Sequence, residues 1–318
     1  MPKIRIIFIG TPEFAAVNLA ALIKDKDIEL IAVFTQKDRP AGRGQKVRKS
    51  EVKVLAEKHH IEIYQPEKIK ESVKLIETLS PDFIIVAAYG QIIPQNILDI
   101  PRLGCINVHA SLLPKHRGAS PINATILQGD KKSGVCIMKM DAGLDTGDIL
   151  ACAEMKLDEG ETANTLHNKL AELGASILTK TIKEYSQGKI KAKKQTEKGA
   201  SYAKRLKKED GYLDFSQKAT NIERRIRAYS PWPGTYAYLN THLPNERLLF
   251  KILAVRGEAI KTTKYLPGEL FMYNSALAVK CGNNKALVII KLQIAGKKAM
   301  EADSFLRGNQ SIAGMFLE

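Results

Sequence analysis

The feature that most constrains this chain is a succession of short apolar runs over its first 140 residues: "KIRIIFIG", "IELIAVFTQ", "IEIYQP", "DFIIVAAYG", "GCINVHA" and "GVCIMKM". Most are apolar at consecutive positions, so both faces of the strand are built to leave water. A sheet with one solvated face gives alternation instead. Helix-like segments separate the runs: "TPEFAAVNLAALIK", with Thr11 read as its N-cap and Pro12 in its first turn, and "EVKVLAEKHH". Doubly buried strands alternating with helices predict an α/β fold, a Rossmann-like, mostly parallel sheet with helices on both faces. Ligands of such sheets lie beyond the carboxyl ends of the strands, where Gly10, Gly90 and the pair Asn107 and His109 fall.

Further along, "DILACAEMKL" reads as one more strand, and a helix is expected from Thr162 to about Tyr185. Its apolar residues Leu166, Leu170, Leu173, Ile177, Leu178 and Ile182 recur at helical spacing. The texture then changes. "GKIKAKKQTEKGASYAKRLKKED" is lysine-rich and poor in large apolar residues, as a solvated linker would be. From Gly211 come an amphipathic helix, "KATNIERRIRAY", the turn "SPWPG", and the short strands "TYAYL", "RLLFKILAV", "GELFMY", "ALAVKC" and "ALVIIKLQIAG". Short strands punctuated by Gly, Pro and Asn predict a small β-barrel. The expected organisation is an α/β domain over 1–189, a basic linker over 190–208 and a barrel over 209–318.

Charge is divided unevenly between these parts. Residues 1–186 carry 25 Lys and Arg against 23 Asp and Glu, a net of +2, whereas 187–318 carry 24 against 11, a net of +13. A polyanionic partner held by the C-terminal part is the reading this suggests; a merely soluble basic surface is the alternative. The four cysteines form no C-x-x-C pair, so neither a disulfide framework nor a zinc site is expected, and they read as small buried hydrophobes. The N-terminal apolar run breaks at Gly10 and Pro12, too soon for a signal peptide, and no run approaches the ~20 residues of a membrane span. A cytoplasmic protein with no membrane contact is expected. The strand–glycine–helix opening lacks G-x-G-x-x-G, which argues against NAD or FAD.

The polar residues at the ligand edge carry the chemistry. In "CINVHASLLPKHRG", Asn107 and His109 are two apart in an extended run and project to one face. Pro114 and Gly118 end regular structure, and "ASPINATILQGD" starts a helix with Ser120 and Pro121. The loop "DAGLDTGDIL" brings Asp141, Asp145 and Asp148 between two strands, within possible reach of His109. An amide, an imidazole and a carboxylate suit acyl transfer: the amide steadies an oxyanion, the imidazole moves protons near neutral pH, and the carboxylate orients it. An amine acceptor would need no serine or cysteine nucleophile. By pattern alone the signal is weak, and a satisfied structural histidine is the better fit.

"GTPEFA", "RPAGRG", "PRLGCINVHASLLPKHRGASPI", "MDAGLDTGDIL", "RAYSPWPG" and "AGKKAM" occur in the order found in the methionyl-tRNA formyltransferases, and the chain resembles that family nearly end to end. The wider folate-dependent formyltransferases would explain N-x-H, "SLLP" and D-x-x-D; only the narrower family also explains "RPAGRG", "PWPG" and a basic C-terminal domain. The resemblance implies transfer of a formyl group from 10-formyltetrahydrofolate, without a metal, to the methionine amino group of charged initiator tRNA. It implies a catalytic trio of Asn107, His109 and Asp145. It places folate near Ser111, Leu112, Leu113 and Pro114, with Tyr89, Gly90, Gln91, Ile92 and Asp141 alongside. It assigns tRNA contact to Arg39, Arg43 and Lys46 in the basic loop, and an OB-like barrel at the C-terminus as the tRNA-binding domain. His116 departs from the aromatic residue common there and reads as a loop residue at the pocket rim. Trp232 reads as a buried turn residue, with base stacking the alternative. Nothing in the chain demands an oligomer, so a monomer is expected.

Three rivals remain at this point. A formyltransferase for a nucleotide sugar or purine precursor would share the trio but has no use for "RPAGRG" and a basic barrel. A formyl-folate hydrolase would release formate with no acceptor. A non-catalytic RNA-binding protein would explain the charge and leave the trio unexplained.

Overall fold

The computed structural model describes residues 2–41, 46–240, 247–256 and 259–318, with backbone alone at Ala41 and Lys46. The chain runs β1 (Ile4–Gly10), α1 (Glu13–Lys24), β2 (Ile28–Phe34), β3 (Arg39–Ala41), β4 (Lys46–Arg48), α2 (Glu51–Lys58), β5 (Ile63–Tyr64) and α3 (Val73–Leu79). It continues through β6 (Phe83–Ala87), α4 (Gln95–Leu98), β7 (Cys105–His109), β8 (Arg117–Gly118), α5 (Pro121–Gln128) and β9 (Lys132–Lys139). Next come β10 (Ile149–Lys156), α6 (Ala163–Ser186) and β11 (Tyr202–Ala203). The residues up to Pro121, Lys132–Lys156 and His167–Lys204 form one compact unit.

Its sheet has the order β10-β9-β7-β6-β1-β2-β5. From β7 to β5 the strands are parallel, while β9 runs antiparallel to β7 and β10 antiparallel to β9. Burial explains the runs read from the sequence: Ile6 to Ile9, Ala32 to Phe34 and Phe83 to Ile85 are all at 0% exposure. The expected Rossmann-like sheet is therefore present, with an antiparallel edge. Thr11 does not cap α1, whose N-cap is Pro12. Its hydroxyl instead donates to the Tyr89 carbonyl and accepts from the Gln36 N–H, tying together the chain after β1, β2 and β6.

The second unit comprises Ile122–Lys131, Leu157–Leu166 and Arg205–Glu318. It contains α7 (Ala219–Ala228), β12 (Tyr236–Asn240), β13 (Arg247–Val255), β14 (Ile260–Lys261), β15 (Leu270–Tyr273), β16 (Ala276–Cys281), β17 (Lys285–Ile294), β18 (Met300–Glu301) and α8 (Ala302–Leu306). The antiparallel order is β12-β13-β17-β16-β15, with β14 and β18 also pairing to β17. Ile222 and Ile226, one helical turn apart on α7, join Phe250, Ile252, Leu270, Val279, Leu287 and Phe305 in one core. This arrangement is consistent with the small barrel read from the strand spacing.

Three further expectations are corrected. The lysine-rich segment is not a free linker: Lys193 exchanges backbone hydrogen bonds with Ile149, and β11 pairs with β8, so residues to Lys204 belong to the first unit. Its lysines face water while Gln195 and Ala203 turn inward, and composition registers the lysines alone. Cys136 and Cys152 are joined by a disulfide, because the antiparallel return of β10 on β9 sets them directly opposite at a Cα separation of 4.1 Å. Cys105 and Cys281 are free and buried. Trp232 is 57% exposed rather than buried; its neighbours Ala228 and Tyr229 occupy the interior at that helix end.

Candidate active site

Extended geometry on β7 puts Asn107 and His109 on one face of the sheet. They pair with Met138 and Cys136 of β9, and Val86 of β6 lies opposite Asn107 on the other side. At the end of β7 the chain turns at once: the Ser111 N–H donates to the His109 carbonyl and the Ser111 hydroxyl to the Lys115 carbonyl, at 2.6 Å. Leu113 is buried against Cys136 and Met138, and the Leu113–Pro114 peptide is cis. His116 then adopts a positive φ of 59° and aims its carbonyl at Nε2 of His109, 3.1 Å away. His116 is thus a buried positioning element and not a rim residue.

The third member arrives on the β9–β10 loop. Gly147 permits the loop's close return, since a Cβ there would lie 2.0 Å from the Lys139 carbonyl oxygen. The Asp141 carboxylate closes the turn by accepting from the Gly143 N–H and the Thr146 hydroxyl. Asp145 sits at a φ of 54°, a left-handed conformation that costs a non-glycine residue about 1–2 kcal/mol. From there its carboxylate reaches three groups. Oδ1 accepts from Asn107 Nδ2 at 3.3 Å; Oδ2 accepts from the Gly118 N–H at 2.7 Å and lies 3.6 Å from His109 Nδ1.

A buried arginine holds that loop. Gln195 donates through Nε2 to the carbonyls of Asp145 and Gly147, at 2.9 and 2.7 Å. Its Oε1 accepts from Nε and Nη2 of Arg117, which is at 0% exposure. Glu197 and Tyr202 satisfy the rest of the guanidinium, and the bonds to Glu197 raise its pKa further. The residues missing from the sequence reading are therefore Arg117, Gln195, the Gly118 N–H and the His116 carbonyl. "KHRG" lies in the quoted stretch, but nothing in the pattern says that Arg117 turns inward, and a main-chain contact has no side-chain signature.

The electrostatics follow from this frame. A carbonyl only accepts, so Nε2 of His109 carries a hydrogen. In the neutral ring Nδ1 is then bare and faces Asp145. Burial holds the His109 pKa below its ordinary 6.5, with the Asp145 charge pulling the other way. The pair has a place for one further proton, between Nδ1 and Oδ2. An amide donor beside a proton-accepting dyad can stabilise an oxyanion and take a proton from an attacking amine.

The remaining expected residues are placed as follows. Ser111 is buried, whereas Leu112 and Pro114 are partly exposed. Tyr89 lies in the α/β core, its hydroxyl without a hydrogen-bond partner among the described residues and its pKa pushed up to about 12 by burial. Gly90 is exposed at φ 88°, and Ile92 is 89% exposed. The Gln91 side chain is engaged elsewhere, accepting from the Ile69 N–H and donating to the Glu67 carbonyl. Arg39 is exposed on β3, opposite Arg48; Lys46 is described only as backbone of β4, and Arg43 lies outside the described residues. A separate open groove of about 860 Å³ between α1, α2 and Val47–Lys49 is lined by none of the trio. Among the described residues no group of His, Cys, Asp and Glu is arranged to hold a metal, and no helix is long and apolar enough to cross a membrane.

Residues 3–182 match the family model described as formyl transferase, and residues 205–310 match that of the formyl transferase C-terminal domain. The chain is 42% identical to the methionyl-tRNA formyltransferase of Citrifermentans bemidjiense over 311 residues, covering 97% of this chain and 94% of that one. It is 44% identical to that of Pseudomonas putida over 299 residues, covering 93% of each. Among solved structures it resembles WlaRD, a sugar 3N-formyltransferase determined in the presence of dTDP and 5-N-formyl-THF. The TM-score is 0.64 at 20% identity, over 94% of this chain and 100% of that one.

Proposed function

Because the chain belongs to the methionyl-tRNA formyltransferase family, we propose that Asn107, His109 and Asp145 carry the transfer of a formyl group from 10-formyltetrahydrofolate to the amino group of methionyl initiator tRNA. The observation that supports these roles is the Asp145 carboxylate, which meets Asn107, Gly118 and His109 at once.

The donor supplies an acyl carbon already attached to a nitrogen leaving group. An α-amino group has a pKa near ~8, so much of the acceptor's work is done by pH, and positioning and charge stabilisation are left to the protein. One amide hydrogen of Asn107 is held by Asp145, which fixes the amide plane and directs the second hydrogen at the formyl oxygen. That oxygen becomes an oxyanion when the amine attacks, and a donor fixed beforehand is worth about 10²–10³ in rate. The amine must lose a proton as the new bond forms. The His109–Asp145 dyad accepts it and returns it to the departing nitrogen.

The donor site fits the residues present. Leu144 and Ile92, on the loops after β9 and β6, leave apolar side chains uncovered, as an apolar slot for a flat pterin requires. Ser111–Pro114 form the part of that site nearest the trio, with the main chain of Tyr89–Ile92 and the Asp141 loop alongside. The first unit is the catalytic domain, and the basic second unit binds tRNA phosphates. The basic loop that carries Arg39, Arg43 and Lys46 in the sequence contacts the acceptor end. The trio is completed within one chain, so a monomer in the cytoplasm suffices.

Incubation with 10-formyltetrahydrofolate and methionyl initiator tRNA tests the reading, with formylmethionine as the expected product. Formylation of a nucleotide-linked amino sugar in place of the tRNA would overturn it.

A further inference from the structure

The Cys136–Cys152 disulfide takes no part in the transfer described above, yet it shares a row of the sheet with His109. His109 pairs with Cys136 across β7 and β9, and Cys136 pairs with Cys152 across β9 and β10. Residues directly opposite in a sheet point to one face, so the three side chains line up. The neighbouring row is Asn107, Met138 and Ile149. The loop after β7 covers this face. Leu113 packs on Cys136 and Met138, and a Cβ on Gly134 would come within 2.5 Å of Leu112 Cδ2.

The same bond closes the base of the Asp145 loop. Cys136 precedes that loop and Cys152 follows it, 16 residues apart in sequence. Cys136 is at 0% exposure, whereas Cys152 is exposed on β10, the edge strand. One sulfur is therefore open to reagents and the other is held against the folate loop.

We propose that Cys136 and Cys152 form a reversible thiol–disulfide site whose redox state is read by the formyl-donor site, through Leu113 and through the Asp145 loop. The inference rests on the reading of Ser111–Pro114 as part of the folate site. Bonded sulfurs stand ~2 Å apart, whereas unbonded heavy atoms need roughly 3.5–4 Å. Opening the bond parts the sulfurs: Cys152 is exposed and turns to solvent, while Cys136 settles anew in a close-packed interior where Leu113 is packed on it. It also removes the covalent tie between β9 and β10 at the base of the Asp145 loop, leaving their backbone pairing in place.

The chemistry balances with ordinary reagents. A dithiol reductant attacks the exposed Cys152 sulfur; the Cys136 sulfur leaves as a thiolate and takes up a proton. The second thiol of the reductant then displaces Cys152, also protonated, and the reductant departs as a cyclic disulfide. In the oxidising direction a peroxide converts the Cys152 thiolate to a sulfenic acid. Cys136 attacks that sulfur, forms the disulfide and releases water.

The test treats the full-length protein with dithiothreitol or with hydrogen peroxide, follows the gain or loss of two hydrogen atoms by mass, and measures 10-formyltetrahydrofolate affinity on each form by calorimetry. The expected result is a reversible mass change and binding about fivefold weaker in the reduced form, at the lower end of coupling between linked sites. Cys152→Ser, which places a hydroxyl at an exposed position, is expected to hold the reduced affinity under both treatments, with circular dichroism confirming that it is folded. A pair that does not interconvert, or equal affinity in the two forms, would overturn the proposal. Formyl transfer to tRNA is assayed separately, so a failure of the transferase reading is seen apart from either outcome.

Discussion

Nδ1 of His109 stands 3.6 Å from Oδ2 of Asp145, on the ring edge opposite the one that meets the His116 carbonyl at 3.1 Å. The carbonyl fixes where one proton is, and the carboxylate marks where a second one goes. Catalytic hydrogen bonds are often long before substrate binds and tighten in the complex.

This pairing sets a pH profile. Burial lowers the His109 pKa and Asp145 opposes the shift, so the neutral ring persists below the ordinary 6.5. The acid limb of kcat/KM is expected below that value. Asp145→Asn removes the opposing charge, moves the limb lower still, and reduces kcat by about 10²–10⁴. Stability carries the matching sign. As pH falls through ~6.5 the unfolded chain takes up the histidine proton before the folded one does, so the contribution is full above that pH and is lost on acidification. Denaturant titrations at several pH values on parent and His109→Gln check it: the variant is expected to lose less stability toward acid.

Asn107→Ala removes the proposed oxyanion donor and is expected to leave the fold of β7 intact, because Asn107 is only partly buried. Single-turnover formyl transfer is expected to slow by about 10²–10³, with donor affinity changing far less. A loss confined to affinity would place Asn107 in binding alone.

Gln195→Glu separates holding from folding. The substitution keeps an oxygen for Arg117 but replaces two N–H donors to the Asp145 and Gly147 carbonyls with a carboxylate. Misplacing Asp145 by a fraction of an ångström is expected to cost up to ~10²-fold in kcat. The lost bonds cost about 1–3 kcal/mol in denaturant unfolding. A normal kcat with lowered stability would show a scaffold role only.

The sheet was legible because Ile6–Ile9 and Phe83–Ile85 are apolar on both faces, a pattern a buried parallel strand imposes directly. Asn107 and His109 were legible from strand alternation, and Asp145 from its loop together with the family resemblance. What was not legible depends on long-range placement. Arg117 is 78 residues from Gln195, and Cys136 meets Cys152 only because β10 folds back in one register. The lysine-rich segment misled for a related reason. Two of its inward residues, Gln195 and Ala203, are an amide and a small side chain, which composition scores as solvated, and pairing with β8 and Ile149 outweighs that average.

Recognition of tRNA gives a further expectation. Lys53 binds Asp38 and Gln65 at 2.6 and 2.7 Å, and Gln65 reaches the Gln36 carbonyl, so the root of the β3–β4 hairpin is fixed to α2. The bond to Lys53 holds the Asp38 carboxyl below its ordinary pKa. Lys53→Met is expected to raise KM for tRNA several-fold while KM for the formyl donor stays unchanged. The same KM for tRNA should rise steeply with salt, in a log–log line whose slope counts the phosphates neutralised.

The most direct measurement is single-turnover transfer from 10-formyltetrahydrofolate to methionyl initiator tRNA, by the parent chain and by a folded Asn107→Ala, His109→Ala double variant. The account predicts formylmethionyl-tRNA from the parent and a rate at least ~10³ lower from the variant. Undiminished transfer by the variant would contradict it.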